Sequence, residues 1–152
     1  MKQIVTAQYQ DIVNRAAKAV RGLSKPSEGW LRTVRKSLGM SGAQLARRMG
    51  VTRGLISNTE KAELSGGVTI KAMQQMAEAL DCRFVYAIVP EDEIEELIER
   101  RAQEKAQVIV EKAGEQMALE AQGLSAAQLK FEKERLARDM VRDLPSDLWN
   151  DP

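Results

Sequence analysis

Apolar residues recur at helical spacing over most of the chain, and capping residues mark where the helices begin. Residues 22–28 and 62–68 contain Gly, Ser or Pro and are predicted as a linker and a loop. In the first half of the chain, we predict helices over residues 3–21, from Trp30 to Leu38, from Ser41 to a turn at Gly50, from Thr52 to about Lys61, and from Thr69 to Leu80.

The second half of the chain predicts a helical hairpin. A narrow apolar stripe runs over about residues 94–122, and Gly123 breaks it. Ser125, with Gln128 three residues later, forms a capping box for a second helix that extends to about residue 143. The residues of the second helix predicted to face the first are Leu129, Leu136 and Met140.

Between the two halves, residues 82–89 (CRFVYAIV) favour a β-strand, which Pro90 closes. A lone strand is unstable, so it must pair. We favour pairing with a second copy across a two-fold axis; pairing within the chain is the alternative. Cys82 lies in this apolar run, so we expect it to be buried.

Composition limits the class of protein. The 152 residues suit one ordinary domain or a small domain with arms. The sequence contains no run of 18 apolar residues, so no membrane span is predicted, and the N-terminus lacks the apolar stretch of a signal peptide. A single cysteine fits a reducing compartment, so we expect a cytoplasmic protein.

Histidine is absent, which removes the commonest general base and the commonest metal ligand. No glycine-rich nucleotide-binding motif and no nucleophile elbow is present. We therefore expect no enzyme activity, no cofactor and no metal site.

The net charge of +1 conceals a strong asymmetry. Residues 1–61 hold 12 Lys and Arg against 3 Asp and Glu, whereas residues 62–152 hold 11 against 19. The basic half suits a phosphate backbone, and the acidic half is free for a protein partner.

The most informative stretch is residues 44–56, QLARRMGVTRGLI. Ala46 is small enough for two helices to cross closely, Gly50 suits a positive φ at the turn, and Ile56 anchors the next helix in the core. This spacing resembles the helix-turn-helix of the Xre/lambda-repressor family, over residues 29–80. A generic helical hairpin is the alternative.

The resemblance implies a mostly α fold. A lambda-repressor-like helix-turn-helix domain with the strand covers residues 29–90, an N-terminal helical arm covers residues 1–22, and the C-terminal hairpin and tail cover residues 91–152. It also implies that the helix beginning at Thr52 enters the major groove of double-stranded DNA. The outward-facing residues expected to read bases are Thr52, Arg53, Gly54, Leu55 and Asn58.

A second set of residues is expected to contact phosphates or supply positive charge. Several have a structural alternative: Ser41 and Gln44 as helix caps, Arg47 and Arg48 as a solvated face, and Leu55, among the base readers, as a partly buried residue. Trp30 is expected in the core. The phosphate set is Ser41, Gln44, Arg47, Arg48, Arg32, Lys36, Lys61 and Ser57, and Arg35 is a further candidate for backbone electrostatics.

Residues 29–51 followed by ALDCRFVYAIVP are similar to a bacterial family called mobile mystery protein A, whose members are typically encoded beside a Fic-domain protein. This likeness implies a transcriptional regulator that serves as the antitoxin of a Fic-type toxin and represses its own operon. Such modules usually bind a palindromic operator as a homodimer.

Three features are candidates for contacting a toxin. The acidic hairpin either completes the dimer or forms a partner-binding arm. Trp149, in a tail with weak structural signals, is a possible partner anchor. Ser24 and Glu28 fit a pattern that resembles the inhibitory segment of Fic antitoxins, although that segment is helical and Pro26 lies within this one.

Two other functions stay open. A stand-alone phage or mobile-element repressor would use the same DNA-binding module without a toxin. A helical interaction module without DNA binding is disfavoured by the basic N-terminal half.

Overall fold

A computed structural model describes residues 2–119 and 125–151, and within these ranges the chain is helical with no strand. The predicted break at Gly123 lies outside the described residues. No helix in the described ranges is long and apolar enough to cross a membrane. The helices are α1 (Lys2–Ala19), α2 (Trp30–Ser37), α3 (Gly42–Met49), α4 (Arg53–Ser65), α5 (Ile70–Ala79), α6 (Ile94–Leu119) and α7 (Ala126–Asp143).

The predicted helix starts are confirmed by their caps. Ser41 and Ser125 each form a complete capping box with a glutamine three residues later. Thr52 and Thr69 accept hydrogen bonds from backbone amides of the first turns of α4 and α5.

The predicted end of α4 near Lys61 is wrong, because the helix continues to Ser65. Residues 62–64 are Ala, Glu and Leu, which all favour helix. The carboxylate of Glu63 is also held by the N-terminus of α2, so a tertiary contact stabilises this last turn.

Residues 22–87 form one compact unit that contains α2 to α5. Each of these helices buries one face in a shared core, which the partly buried Phe84 covers. The core residues are Leu31, Leu45, Ala46, Ile56, Met73, Met76 and Leu80.

Two acidic residues of α4 fasten it to α2. The Arg35 side chain lies 2.7 Å (Nε to Oε1) and 3.1 Å (Nη2 to Oε2) from the Glu60 carboxylate. Glu63 accepts backbone N–H groups of Trp30 at 2.8 Å and Leu31 at 2.9 Å. A carboxylate here satisfies amides that have no partner within α2 and favours the positive end of the helix dipole.

Residues 2–21 and 88–151 form a second compact unit, in which α6 packs along α7. Its core consists of Ala102, Ala106, Ala137 and Leu148, covered by Leu136 and Met140 as predicted. Small residues on facing positions let the two helices approach closely. Leu129, the third predicted contact, lies against Gly114 of α6.

The N-terminal helix belongs to this second unit. The Asn14 side chain accepts the backbone N–H of Ile94 at 2.9 Å and donates to the Glu95 carboxylate at 2.9 Å. A residue of α1 therefore caps the N-terminus of α6, and no local pattern predicts this role because 80 residues separate Asn14 from Ile94.

The predicted strand at residues 82–89 is not formed. These residues have no regular secondary structure, and the described chain supplies no second strand to complete a ladder. Because the segment lies at the surface, Cys82 is exposed rather than buried. Trp30, expected in the core, is 37% exposed at the start of α2.

Candidate nucleic-acid interface

The helix-turn-helix consists of α3, a tight turn and α4. Gly50 takes φ 67°, ψ 34°, the left-handed conformation predicted for the turn. The backbone N–H of Val51 then bonds the carbonyl of Ala46 at 3.0 Å, which closes the end of α3. Ala46 is buried in the core, as its predicted role in a close crossing of the two helices requires.

The inner face of α4 fixes which residues point outward. Ile56, Glu60 and Glu63 are buried on one side of the helix. The remaining predicted contact residues of this helix are all exposed, and they are Thr52, Arg53, Gly54, Leu55, Ser57, Asn58 and Lys61.

Arg53 and Asn58 are the residues best suited to bases. Their side chains are exposed, and neither makes an ion pair or a side-chain hydrogen bond with a described residue. Arginine can bond guanine O6 and N7 together, and asparagine can bond adenine in the same bidentate way. Leu55 is exposed beside them, and its apolar surface suits a thymine methyl group.

Gly54 leaves part of this exposed face of α4 without a side chain. A Cβ atom at this position would come no closer than 3.9 Å to any neighbour, namely Thr52 Oγ1. Packing within the chain therefore tolerates a side chain here, while the missing one lets a ligand approach the backbone closely. Thr52 itself accepts the Leu55 amide at 3.1 Å, so its hydroxyl serves as the cap of α4.

The start of α3 combines capping with a free donor. The Ser41 amide donates to Gln44 Oε1 at 2.8 Å, and the Gln44 amide donates to Ser41 Oγ at 3.1 Å. This arrangement uses the oxygen of the Gln44 side chain and leaves its NH₂ group free to donate. Capping and phosphate contact can therefore coexist at this helix N-terminus.

The two arginines of α3 differ in their surroundings. Arg47 is exposed and makes no ion pair with a described residue. Arg48 donates from Nε to the Ala79 carbonyl at 2.9 Å and from Nη2 to Asp81 at 3.2 Å. Arg48 thus fastens α3 to the end of α5, and Arg47 is the arginine with its charge free.

The cations of α2 are all paired. The Lys36 ammonium lies 3.0 Å from Glu28 Oε1, and Arg32 Nε lies 3.9 Å from the same atom. The hydrogen bond from Lys36 lowers the pKa of the Glu28 carboxyl below its ordinary value. Arg35 is bonded to Glu60 and largely buried, which withdraws it from the candidate phosphate contacts.

The candidate toxin-contact residues lie in both units. Residues 23–26 have no helical structure, unlike the helical segment that the Ser24–Glu28 pattern resembles. Trp149 lies in a tail that folds back on α6, where Arg101 Nε donates to the Leu148 carbonyl at 2.7 Å. The Trp149 ring remains 61% exposed, with the Arg101 guanidinium 5.7 Å from its centroid.

Sequence reasoning missed Glu60 and Glu63, which hold α4 against α2. A signal was present, since both lie on the same helical face as Ile56 in an otherwise basic module. Buried carboxylates require partners, and the partners here are a side chain and an N-terminus of α2.

Residues 31–86 match the family model described as helix-turn-helix, which covers α2 to α5 and leaves α1, α6 and α7 outside the match. No curated protein and no solved structure matches the chain. The match supports the Xre/lambda-repressor resemblance of this region. The chain therefore carries a helix-turn-helix domain, the kind of module by which transcriptional regulators bind DNA.

Proposed function

We propose that this protein is a sequence-specific transcriptional repressor that reads the major groove with α4 and has no catalytic activity. One observation carries the proposal: Arg53 and Asn58 are exposed without partners on a helix whose opposite face is locked into the core. Free donors on a rigid helix are what direct readout of bases needs.

Binding to the DNA upstream of its own gene tests this proposal. Fluorescence anisotropy would compare that DNA with a scrambled duplex of equal length across a salt series. We expect sequence-dependent binding whose affinity falls steeply with salt, because Lys and Arg displace counterions from phosphates. Equal, weak binding to both duplexes would contradict specific recognition.

Arg53→Ala separates base reading from charge. We expect a loss of about 1–3 kcal/mol on the operator and a smaller loss on scrambled DNA. Lys61→Ala is the matched control, because Lys61 lies on the same helix and is assigned to phosphate. This substitution should weaken binding to both duplexes alike and reduce the dependence of affinity on salt, the slope of log K against log salt concentration, by about 1. An equal loss on both duplexes for Arg53→Ala would reassign Arg53 to phosphate.

Glu28 provides a second test because it neutralises two cations of α2. Glu28→Gln should free Lys36 and Arg32, so affinity should rise on operator and scrambled DNA alike. The salt slope should steepen by about 1, as one negative charge is removed beside the phosphate. Unchanged affinity and slope would show that α2 does not contribute charge to the interface.

We further propose that the repressor is a homodimer on a palindromic operator and acts as the antitoxin of a Fic-type toxin. The similarity of residues 29–51 and 79–90 to mobile mystery protein A supports the toxin partner, as does the exposed Trp149 ring. Co-expression with the product of the neighbouring gene, followed by co-purification, tests this. If that protein is not toxic or does not bind, a stand-alone repressor is favoured.

Trp149 and Glu28 offer two separate routes to the toxin. Trp149→Ala should weaken complex formation if the tail is the anchor. Glu28→Gln should relieve toxin inhibition only if residues 24–28 act as the inhibitory segment. Glu28 is already engaged with Lys36 and Arg32, so we expect suppression to persist in this variant.

A further inference from the structure

The segment Cys82–Pro90 exposes apolar side chains and unpaired backbone together. Val85, Tyr86 and Ile88 are 65%, 66% and 95% exposed. Among the described residues, none forms a hydrogen bond with the backbone of residues 83–89, whereas the Cys82 amide donates to the Ala77 carbonyl at 2.8 Å. Exposed apolar residues and free amides are the properties of a strand that lacks its neighbour.

Two aromatic side chains of the segment, two residues apart, already stack on each other. Phe84 packs on the helix-turn-helix core, and the Tyr86 ring stacks on Phe84 with centroids 5.6 Å apart. Positions i and i+2 share a face of a strand, so Phe84, Tyr86 and Ile88 would lie on one face of a strand built from this segment.

The backbone donors distinguish the two edges of such a strand. Successive N–H groups of a strand point to alternate edges, so Cys82 and Pro90 point to the same one. That edge is blocked at both ends, because the Cys82 amide is used within the chain and proline has no N–H. The opposite edge, with the amides of residues 83, 85, 87 and 89, is free along its whole length.

We infer that this free edge pairs antiparallel with the same edge of a second copy, with Tyr86 on the two-fold axis. The inference rests on the proposed function at one point: a palindromic operator requires a homodimer, and this pairing would form it. In this register, residues 83 and 89 pair, residues 85 and 87 pair, and the blocked positions 82 and 90 lie opposite each other at both ends.

The register also matches the side chains. Phe84 lies opposite Ile88 of the second copy. Ile88, the most exposed apolar side chain of the segment, then covers the Phe84 ring, which packs against the helix-turn-helix core. The two Arg83 side chains are about 20 Å apart along the ladder, since six residues separate them. Each Arg83 instead approaches Glu91 of the other copy, and neither residue has an ion pair among the described residues.

A second copy fits this edge better than an unrelated strand does. In this register all four free amides of each copy meet a carbonyl of the other copy, in the pairs 83 with 89 and 85 with 87. Opposite charges also meet at both ends of the ladder only under this symmetry. The pairing thus closes as an isologous dimer and leaves the blocked edges outside.

Disulfide trapping in the full chain tests the register. All variants carry Cys82→Ser to remove the native thiol. With Tyr86 on the axis as a non-hydrogen-bonded pair, Tyr86→Cys places two Cα atoms about 4.5 Å apart, within disulfide range. We expect most of this protein to become covalent dimer under mild oxidation. Val85→Cys is the matched control, because its two Cα atoms are about 7–8 Å apart, and little dimer should form.

Light scattering of the unmodified chain completes the test, with an expected mass of two chains. Ala87→Pro removes a donor from the paired edge and should give monomers, whereas Ala87→Thr keeps the donor and should remain dimeric. A monomeric wild type, or trapping through residue 85 instead of 86, would overturn the inference. Trapping at residue 86 without operator binding would uphold the dimer and contradict only the proposed function.

Discussion

At the scale of single residues, charged side chains inside the helix-turn-helix domain hold the recognition helix in place. Arg35 and Glu60 have side chains that are 13% and 9% exposed, and Arg35 also donates to the Met40 carbonyl at 3.0 Å. A pair so shielded from water depends on both members, because either one alone would be a buried charge without a partner.

Glu60→Ala is therefore expected to destabilise the domain by about 3–5 kcal/mol, the usual cost of breaking a buried ion pair from one side. Urea unfolding followed by circular dichroism measures this change. Replacing both residues, as Arg35→Met with Glu60→Met, should recover most of the loss, since no charge is then left unpaired. A double variant as unstable as the single one would show that packing around Glu60, and not its charge, matters.

At the scale of elements, local signals in the sequence predicted where helices start. Contacts between residues far apart in the chain decided where α4 ends and whether residues 82–89 form a strand. The caps of three helices could be predicted because each bonds an amide only three residues later, a spacing that is visible in the sequence. These caps are Ser41, Thr52 and Ser125. The end of α4 depends on Glu63 meeting α2, more than 30 residues away, and no local pattern encodes that contact. The segment at residues 82–89 has strand composition but no partner within the described chain, so propensity alone gave the wrong element.

In the candidate site, too, part of the arrangement could be predicted from local sequence and part depends on contacts between distant residues. The outward residues of α4 follow from Ile56 and the turn glycine, which fix the phase of the helix. The surroundings of the cations do not follow, since Arg48 meets the end of α5 and Arg35 meets Glu60 only in the folded domain. Which positive charges remain free for DNA is therefore a property of tertiary structure.

The turn between α3 and α4 leads to a prediction about an element. Gly50→Ala should destabilise the domain by about 1–2 kcal/mol, because a side chain disfavours the left-handed conformation seen at φ 67°. No atom lies within 4 Å of the Cβ that would be added, so the cost is conformational and not steric.

Gly42→Ala is the matched control for the turn, because Gly42 begins α3 with open space around its Cβ position. This substitution should leave stability unchanged or raise it by about 0.5–1 kcal/mol. Thermal unfolding of both variants measures the difference. Equal effects at the two positions would contradict a special role for the left-handed turn.

At the scale of the whole molecule, the charge is divided between the two units. The helix-turn-helix unit, residues 22–87, holds 10 Lys and Arg against 5 Asp and Glu, whereas residues 1–21 and 88–152 hold 13 against 17. DNA binding and partner binding should then respond to separate substitutions. The tail of the second unit is the sharpest place to test this separation, because Arg101 donates hydrogen bonds to the carbonyls of Leu148 and Asn150.

Arg101→Ala should loosen the tail on α6 without affecting DNA binding, while buried Leu148 and the contact of Lys105 with Asp147 still hold part of it. Arg101 donates to the carbonyls of Leu148 at 2.7 Å and Asn150 at 2.8 Å, so its loss should cost about 1–3 kcal/mol. In a Trp30→Phe background, the fluorescence of Trp149 should shift to the red, and limited proteolysis should cut the tail faster. Arg100→Ala is the matched control, since it removes the same charge from an exposed neighbour whose side chain makes no hydrogen bond or ion pair with a described residue. Operator affinity should be alike in both variants. A loss of affinity confined to Arg101→Ala would show that the two units are coupled, and that the tail contributes to DNA binding as well as to any partner contact.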